Sequence, residues 1–338
     1  MKTIHLALMG AGTVGQALLE LLPTHQARFQ ALGLELKLAR ILVRDRSKPR
    51  PGVPAHLLTD EPKGFLEGAD LLVEVAGGTA QAGEVVLEAL ARGLPVVTAN
   101  KALLAERWDA LREHAEAGRL HYEASVMAGT PVLGALQSLW GNQTLALHGI
   151  VNGTCSYIIQ RLEEGATYAE AFAEAGALGY LEADPTLDVG GIDAAHKICV
   201  LGRLTVDPGL AWAEVQRRTR GIAHLTPQML RQARAEGYAI RLVASLYPSP
   251  EGWVGAVRPV RLPQEHPLVQ LGSGRNALVY QGHPVGSLVF AGPGAGGGVT
   301  ASAVLGDIYR ALSGQPGHRP LPAPAPLPAQ PAPAFEEV

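Results

Sequence analysis

TIHLALMGAGTVGQALLELL, Thr3 to Leu22, is the stretch whose reading decides the fold. Thr3 to Met9 is apolar and strand-like, and Gln16 to Leu22 has the apolar spacing of a helix. Between them lies Gly10-Ala11-Gly12-Thr13-Val14-Gly15, a G-x-G-x-x-G set after a strand and before a helix. Gly10 permits a tight turn, Gly12 lets the backbone approach a pyrophosphate, and Gly15 lets helix and strand pack closely. The helix N-terminus then faces the phosphates. The expectation is a dinucleotide site formed by Gly10, Gly12, Thr13, Val14 and Gly15. His5, Gln16 and Glu20 interrupt the apolar run, so the segment reads as mature fold and not as a secretion signal.

Working outward, the same strand–helix alternation continues. A second strand, Leu36 to Val43, ends in Arg44-Asp45-Arg46-Ser47-Lys48. An acidic residue here would bind the ribose hydroxyls of NAD, and Asp45 is available for it. It is flanked by cations, however, and Arg44, Arg46 and Lys48 suit a 2′-phosphate, so NADP is favoured with NAD left open. A third strand, Leu71 to Val75, runs into Ala76-Gly77-Gly78-Thr79, and a helix follows from Ala80 to Arg92. A fourth strand, Pro95 to Thr98, runs into Ala99-Asn100-Lys101. Ligands bind at the carboxyl ends of parallel strands, which directs Thr98 and Lys101 toward a cleft. The plainer alternative is a surface lysine in a helix capped by Asn100. A helix from Ala102 to Ala117 and a strand from Leu120 to Ala124 complete this half.

The 338 residues suffice for two domains. A formal charge of -3 gives no electrostatic reason to expect nucleic acid or an anionic membrane as partner. No stretch reaches membrane-spanning length. Cys155 and Cys199, the only cysteines, lack metal-ligand spacing and suggest no disulfide framework, which fits the cytoplasm.

A second stretch carries charge. LGYLEADPTLDVGGIDAAHK, Leu178 to Lys197, holds Glu182, Asp184, Asp188, Asp193 and Lys197. A helix is expected from about Gly191, with Asp193 in its first turn and Lys197 four residues on, on the same face. An acidic loop capping a helix is the bland reading. Packing several carboxylates together is unfavourable unless a cation sits among them, however, and Lys197 or a substrate ammonium would serve. A lysine held beside carboxylates in a cleft is also a plausible proton donor or acceptor.

These residues resemble the signature of homoserine dehydrogenases, whose fixed positions are matched by Ala175, Gly179, Glu182, Asp184, Pro185, Asp188, Gly191, Asp193 and Lys197. Thr98-Ala99-Asn100-Lys101 resembles a second motif of that family, and Asn152-Gly153-Thr154 a third. Glu123 with Ser125 to Pro131 resembles its sodium-binding corner, although Met127 falls where small residues are common. The resemblance extends to about Leu312.

It implies reversible NAD(P)-dependent hydride transfer between L-homoserine and L-aspartate 4-semialdehyde, in threonine, methionine and isoleucine biosynthesis. Lys197 is then the acid/base and Lys101 its electrostatic partner, an assignment that can be exchanged. Asp193 orients a lysine or water. Glu182, Asp188, Lys101 and Thr154 lie by the substrate, and Arg44, Thr98, Lys101, Gly179 and Gly294 by the cofactor. Glu123, Val126, Ala128 and Thr130 would hold sodium; the alternative for this corner is a tight turn whose Glu123 makes a salt bridge. A homodimer through the second domain's sheet is also implied. Two alternatives stand beside this: a related amino-acid dehydrogenase, and a non-catalytic module that senses a dinucleotide.

The expected architecture is α/β: a Rossmann-type domain (residues 1–127) and an α+β substrate and dimerisation domain with a mixed or antiparallel sheet (128–293). A helix (294–313) returns to the first domain, and a Pro/Ala-rich tail (314–338) is expected to be disordered. Larger family members carry a further C-terminal regulatory domain, for which this length leaves no room.

Overall fold

The computed structural model describes residues 1–178, 188–271, 275–329 and 335–338. The chain divides into two compact units, Met1–Gly134 with Ala295–Pro320, and Ala135–Gly294 with Leu321–Val338.

The first unit is built on a parallel sheet. Its elements are β1 (Lys2–Met9), α1 (Thr13–Ala31), β2 (Leu34–Leu42), β3 (Leu58–Thr59), β4 (Leu71–Glu74), α2 (Gln81–Ala91), β5 (Val96–Thr98), α3 (Lys101–Glu106), α4 (Trp108–Glu116) and β6 (Leu120–His121). The strand order is β3-β2-β1-β4-β5-β6, and every pairing is parallel. This doubly wound order reverses direction beside β1, where such sheets bind ligands. Leu71, Leu72 and Val73 are all buried, as expected of a strand covered on both faces.

Helix α1 runs past Pro23, where the sequence pattern suggests a stop. Proline removes one hydrogen bond from the helix. Tertiary packing offsets that loss: Phe29 is fully buried and stacks on Tyr309 at 4.1 Å between ring centroids. The expected single helix after Lys101 is broken at Arg107 into α3 and α4.

In the second unit the elements are α5 (Val132–Gln137, which begins just before it), β7 (Gln143–Ile150), α6 (Gly153–Glu163), α7 (Tyr168–Ala177), α8 (Ile192–Thr205), α9 (Trp212–Arg217), α10 (Pro227–Ala235), β8 (Tyr238–Ser249), β9 (Gly252–Pro263), α11 (Pro267–Gln270), β10 (Arg275–His283) and β11 (Gly286–Pro293). Helix α12 (Gly297–Leu312) then belongs to the first unit, and a short β12 (Glu336–Glu337) to the second. Strand order is β11-β10-β7-β8-β9-β12, and among the described residues every pairing within it is antiparallel. Of the mixed or antiparallel sheet expected, the antiparallel one forms. Short turns such as Ser249 to Gly252 join neighbouring strands, and such connections can only reverse direction. From Asp193 to Thr205 every residue of α8 is buried, and the helix packs against β8 and β9.

Described residues of the tail make several hydrogen bonds. Gly317 and His318 donate their backbone N–H groups to Gly118 O and Leu120 O. Leu321 donates to Arg203 O, Ala325 donates to Val206 O, and Trp253 Nε1 donates to Ala325 O. Glu336 and Glu337 pair with Arg261 and Val260 of β9. Proline's preset backbone lowers the entropy lost when such a segment is fixed, and composition alone cannot reveal the partners.

Candidate active site

Each unit carries its own part of the expected site. In the first, Gly10 has φ +102°, and a Cβ there would fall 2.7 Å from Ala76 N. At Gly15 a Cβ would fall 2.2 Å from Gly10 O. Both positions exclude a side chain for steric reasons. Gly12 is different, because a Cβ there would meet nothing within 4 Å. Gly12 is also the N-cap of α1 and offers no side-chain acceptor to the first N–H groups, Thr13 and Val14 among them. An open, uncapped helix start beside β1 fits the pyrophosphate of a dinucleotide. Gly297 packs against this turn, where a Cβ would lie 2.9 Å from Thr13 O.

At the end of β2, Arg44 is exposed. Asp45 Oδ1 accepts from the Ser47 N–H at 2.9 Å and the Ser47 hydroxyl at 2.6 Å, which lowers its pKa. That carboxylate is engaged locally, which weakens its claim on a ribose. At the end of β5, the Thr98 hydroxyl donates to Glu74 Oε2 at 2.6 Å. Asn100 Oδ1 accepts from Leu103 N at 3.0 Å and caps α3, whose first residue is Lys101. Helix and cap both form as the plain reading of that lysine has it; in addition, the strand end places Lys101 at the carboxyl edge of the sheet.

In the second unit, Lys197 Nζ donates to Asp193 Oδ2 at 2.8 Å and to the Val151 carbonyl at 2.6 Å. Two of its three donors are thereby committed to fixed oxygens. Asn152 Nδ2 donates to Asp193 Oδ2 at 2.9 Å and to Asp188 Oδ1 at 3.3 Å, while its Oδ1 accepts from Cys155 N and caps α6. Lys197, Asp193, Asp188, Asn152 and Thr154 are all buried. The expected pairing of Asp193 with Lys197 in the first turn of a helix is therefore present, and Gly191 starts that helix at φ +81°. Cys155 donates its thiol to Asp188 O. Burial, then the nearby Asp188 and Asp193 carboxylates, push that thiol well above its ordinary range.

Two contributions in this unit were not read from the sequence, although the Asn152-Gly153-Thr154 motif was. One is Asn152 in its role as a donor to both carboxylates. The other is Asn276 in β10, whose Nδ2 donates to the same Val151 carbonyl at 3.2 Å. A Cβ on Gly294 would fall 2.2 Å from Asn276 Oδ1, so Gly294 makes room for that amide. The available signal was a buried asparagine in an otherwise apolar strand. Glu182 and Gly179, together with Asp184, lie outside the described residues.

The expected cation corner lies in the first unit. Glu123 Oε1 accepts from Leu133 N at 2.7 Å, and Oε2 accepts from Gly134 N at 2.9 Å. His318 Nδ1 accepts from Tyr122 N at 3.0 Å, so its Nε2 carries the proton and donates to Glu123 Oε2 at 3.1 Å. Burial pushes the Glu123 carboxyl up, but His318 and the two amides outweigh it and leave the pKa lowered. Met127 (φ +56°) and Ala128 (φ +48°) sit in the left-handed region, which side chains disfavour. Thr130 Oγ1 is buried with no hydrogen-bond partner. An ionised carboxylate, an orphaned hydroxyl and a strained backbone fit a hard cation with oxygen ligands.

The comparisons with known proteins bear on the family. Residues 10–124 match the model of the homoserine dehydrogenase NAD-binding domain, and residues 131–309 match that of the homoserine dehydrogenase domain. A homoserine dehydrogenase of Corynebacterium glutamicum is 40% identical over 322 residues, covering 92% of this chain and 72% of that protein. A crystal structure of a homoserine dehydrogenase from Thiobacillus denitrificans superimposes with a TM-score of 0.85 at 33% identity, covering 98% of this chain and 79% of that one. A hyperthermophilic archaeal homoserine dehydrogenase mutant in complex with NADPH superimposes with a TM-score of 0.75 at 28% identity, covering 94% of this chain and all of that one. Matching both of these family models, and 40% identical to that relative, the chain belongs to the homoserine dehydrogenases.

Proposed function

We propose that this protein interconverts L-homoserine and L-aspartate 4-semialdehyde with NAD(P), with Lys197 as the acid/base. The observation that carries the reading is a buried ammonium fixed by Asp193 and the Val151 carbonyl. A lysine so held has little freedom to lose when it meets a reacting oxygen.

When bound, the nicotinamide supplies or takes up the hydride. In the reduction direction, Lys197 donates a proton to the forming alkoxide through its remaining N–H. In oxidation, the neutral amine takes the proton from the homoserine hydroxyl. Asp193 holds the ammonium in place, and Asn152 orients Asp193 and separates it from Asp188. Asp188, with Glu182 and Thr154, binds the substrate's amino group and hydroxyl. Lys101 adds positive charge at the same oxygen. Gly10 to Gly15, Thr98, Gly179 and Gly294 bind the dinucleotide, and Arg44 favours NADP. A sodium ion held by Glu123, Val126, Ala128 and Thr130 is part of the reading, as is a homodimer through the second unit's sheet.

No helix among the described residues is long and apolar enough to cross a membrane. The two cysteines are free and buried, which supports placement in the reducing cytoplasm. Steady-state rates with homoserine and each nicotinamide cofactor test the assignment. Turnover of homoserine, faster with NADP than with NAD, is expected. Binding of dinucleotide without turnover of homoserine or the semialdehyde would overturn it in favour of a sensing module.

A further inference from the structure

Strand β4 ends in a residue that packing alone does not require. The strand reads Leu71-Leu72-Val73-Glu74, and Glu74 is as fully buried as its apolar neighbours. A buried carboxylate without partners is strongly destabilising. This one is well supplied: Oε1 accepts from Ala76 N at 2.9 Å and Gly77 N at 3.0 Å, and Oε2 accepts from the Thr98 hydroxyl. Burial pushes its pKa up, and Thr98 and the two amides pull against that shift.

The hydrogen bonds continue on both sides. Thr98 Oγ1 itself accepts from Asn100 N at 3.0 Å. The Asn100 side chain caps α3 through Leu103 N and donates to Gly78 O at 2.7 Å. One carboxylate thus joins the loop after β4 to the loop after β5, and the second loop leads directly into Lys101. The first loop also supports the glycine-rich turn, since Gly10 lies against the Val75–Ala76 peptide too closely for any side chain.

We propose that Glu74 is a positioning residue for the reaction, acting through Thr98 and Asn100 to fix where Lys101 enters the site. This rests on the reading of Lys101 as a working residue. An apolar residue at position 74 would satisfy the strand but leave the Ala76 and Gly77 amides and the Thr98 hydroxyl without their acceptor. The carboxylate is there for the loops and not for the sheet.

The test is Glu74→Gln, alone and combined with Lys101→Ala, in the full chain. Glutamine keeps the volume, and its Oε1 can still accept from both amides. Its NH2 can only donate to the Thr98 oxygen, so the Thr98 O–H loses its acceptor and the link to α3 loosens. In Glu74→Gln, kcat is expected to fall tenfold or more. NADPH affinity, read by fluorescence titration, is expected to stay within threefold. In the Lys101→Ala background the same change is expected to cost less than twofold, because a residue that acts through Lys101 has nothing left to act on.

An undiminished kcat in Glu74→Gln, measured well below its melting temperature, would overturn the proposal. So would a loss that multiplies with that of Lys101→Ala. Near-normal turnover in Lys101→Ala alone would overturn the Lys101 assignment, and this proposal with it. Should Glu74→Gln fail to fold, Thr98→Val cuts the same link, and its loss must likewise vanish in the Lys101→Ala background.

Discussion

Lys197 Nζ lies 2.8 Å from Asp193 Oδ2, one helical turn back on the same helix, and both side chains are only 10% exposed. Exposed pairs at this spacing are common and weak. A buried pair is different, because taking two charges out of water is repaid only by good geometry and further hydrogen bonds. Val151 O and Asn152 Nδ2 supply those bonds. The arrangement is therefore better explained by chemistry than by stability.

Lys197→Met keeps most of the volume and removes the charge. It is expected to lower kcat about 10²–10⁴-fold, the usual contribution of a positioned acid/base. Asp193 is left buried without its cation, at a cost of roughly 3–5 kcal/mol. Steady-state kinetics and thermal melts check the two effects separately, and NADPH titration is expected to show little change. Near-normal kcat would remove Lys197 from the mechanism.

Asn152 is expected to be more sensitive in activity than its role as a helix cap suggests. Asn152→Ala loses the cap of α6, at about 1 kcal/mol, and leaves Asp188 and Asp193 without their shared donor. Asn152→Asp keeps a capping oxygen but adds a third carboxylate. The Asp variant should therefore melt below the Ala variant, although it keeps the cap, and also have the lower kcat/KM for homoserine. The reverse order would show that the cap, and not the donor, is what matters.

The glycine-rich turn separates folding from binding. Gly10→Ala places a Cβ 2.7 Å from Ala76 N in a left-handed backbone, and it is expected to destabilise the fold. Gly12→Ala meets no atom within 4 Å and should fold and melt like the parent. Its methyl group then occupies the approach to the pyrophosphate, so NADPH affinity should fall at least tenfold. Unchanged affinity in Gly12→Ala would move the phosphates away from this turn.

His148 gives a pH dependence whose sign is fixed. Burial, then the nearby His266, lower its pKa from 6.5 to about 4, and its Nδ1 is hydrogen-bonded to Ser245 Oγ at 2.9 Å. The unfolded chain takes up a proton below pH 6.5 that the folded imidazole does not accept until about pH 4. Stability is thus unaffected above pH 6.5 and falls as pH drops through this window, by roughly 3 kcal/mol at the acid end. In His148→Asn the midpoint of denaturation should depend less steeply on pH between 6.5 and 4. An unchanged slope would show that His148 titrates normally.

His318 tests the tail. Its ring accepts from Tyr122 N and donates to Glu123, and it is completely buried. His318→Ala leaves a backbone donor without its acceptor and opens a cavity, which should cost about 2–4 kcal/mol. Urea denaturation measures this. A loss below 0.5 kcal/mol would mean that the tail does not hold the Tyr122–Glu123 corner.

The sequence by itself determined the parallel α/β half, because G-x-G-x-x-G and the strand–helix rhythm are local signals with a direct steric and electrostatic meaning. It also placed Asp193 and Lys197 on one helix face, because a spacing of four residues dictates that in any helix. Only the tertiary structure decided that this face is buried, that Val151 and Asn276 close around it, and that Glu74 joins two loops. Those contacts link residues 24 to 125 positions apart, and no periodicity records them. The tail's partners are hidden for the same reason: Gly317, His318, Leu321 and Ala325 donate to Gly118, Leu120, Arg203 and Val206, and a run of proline and alanine carries no record of them.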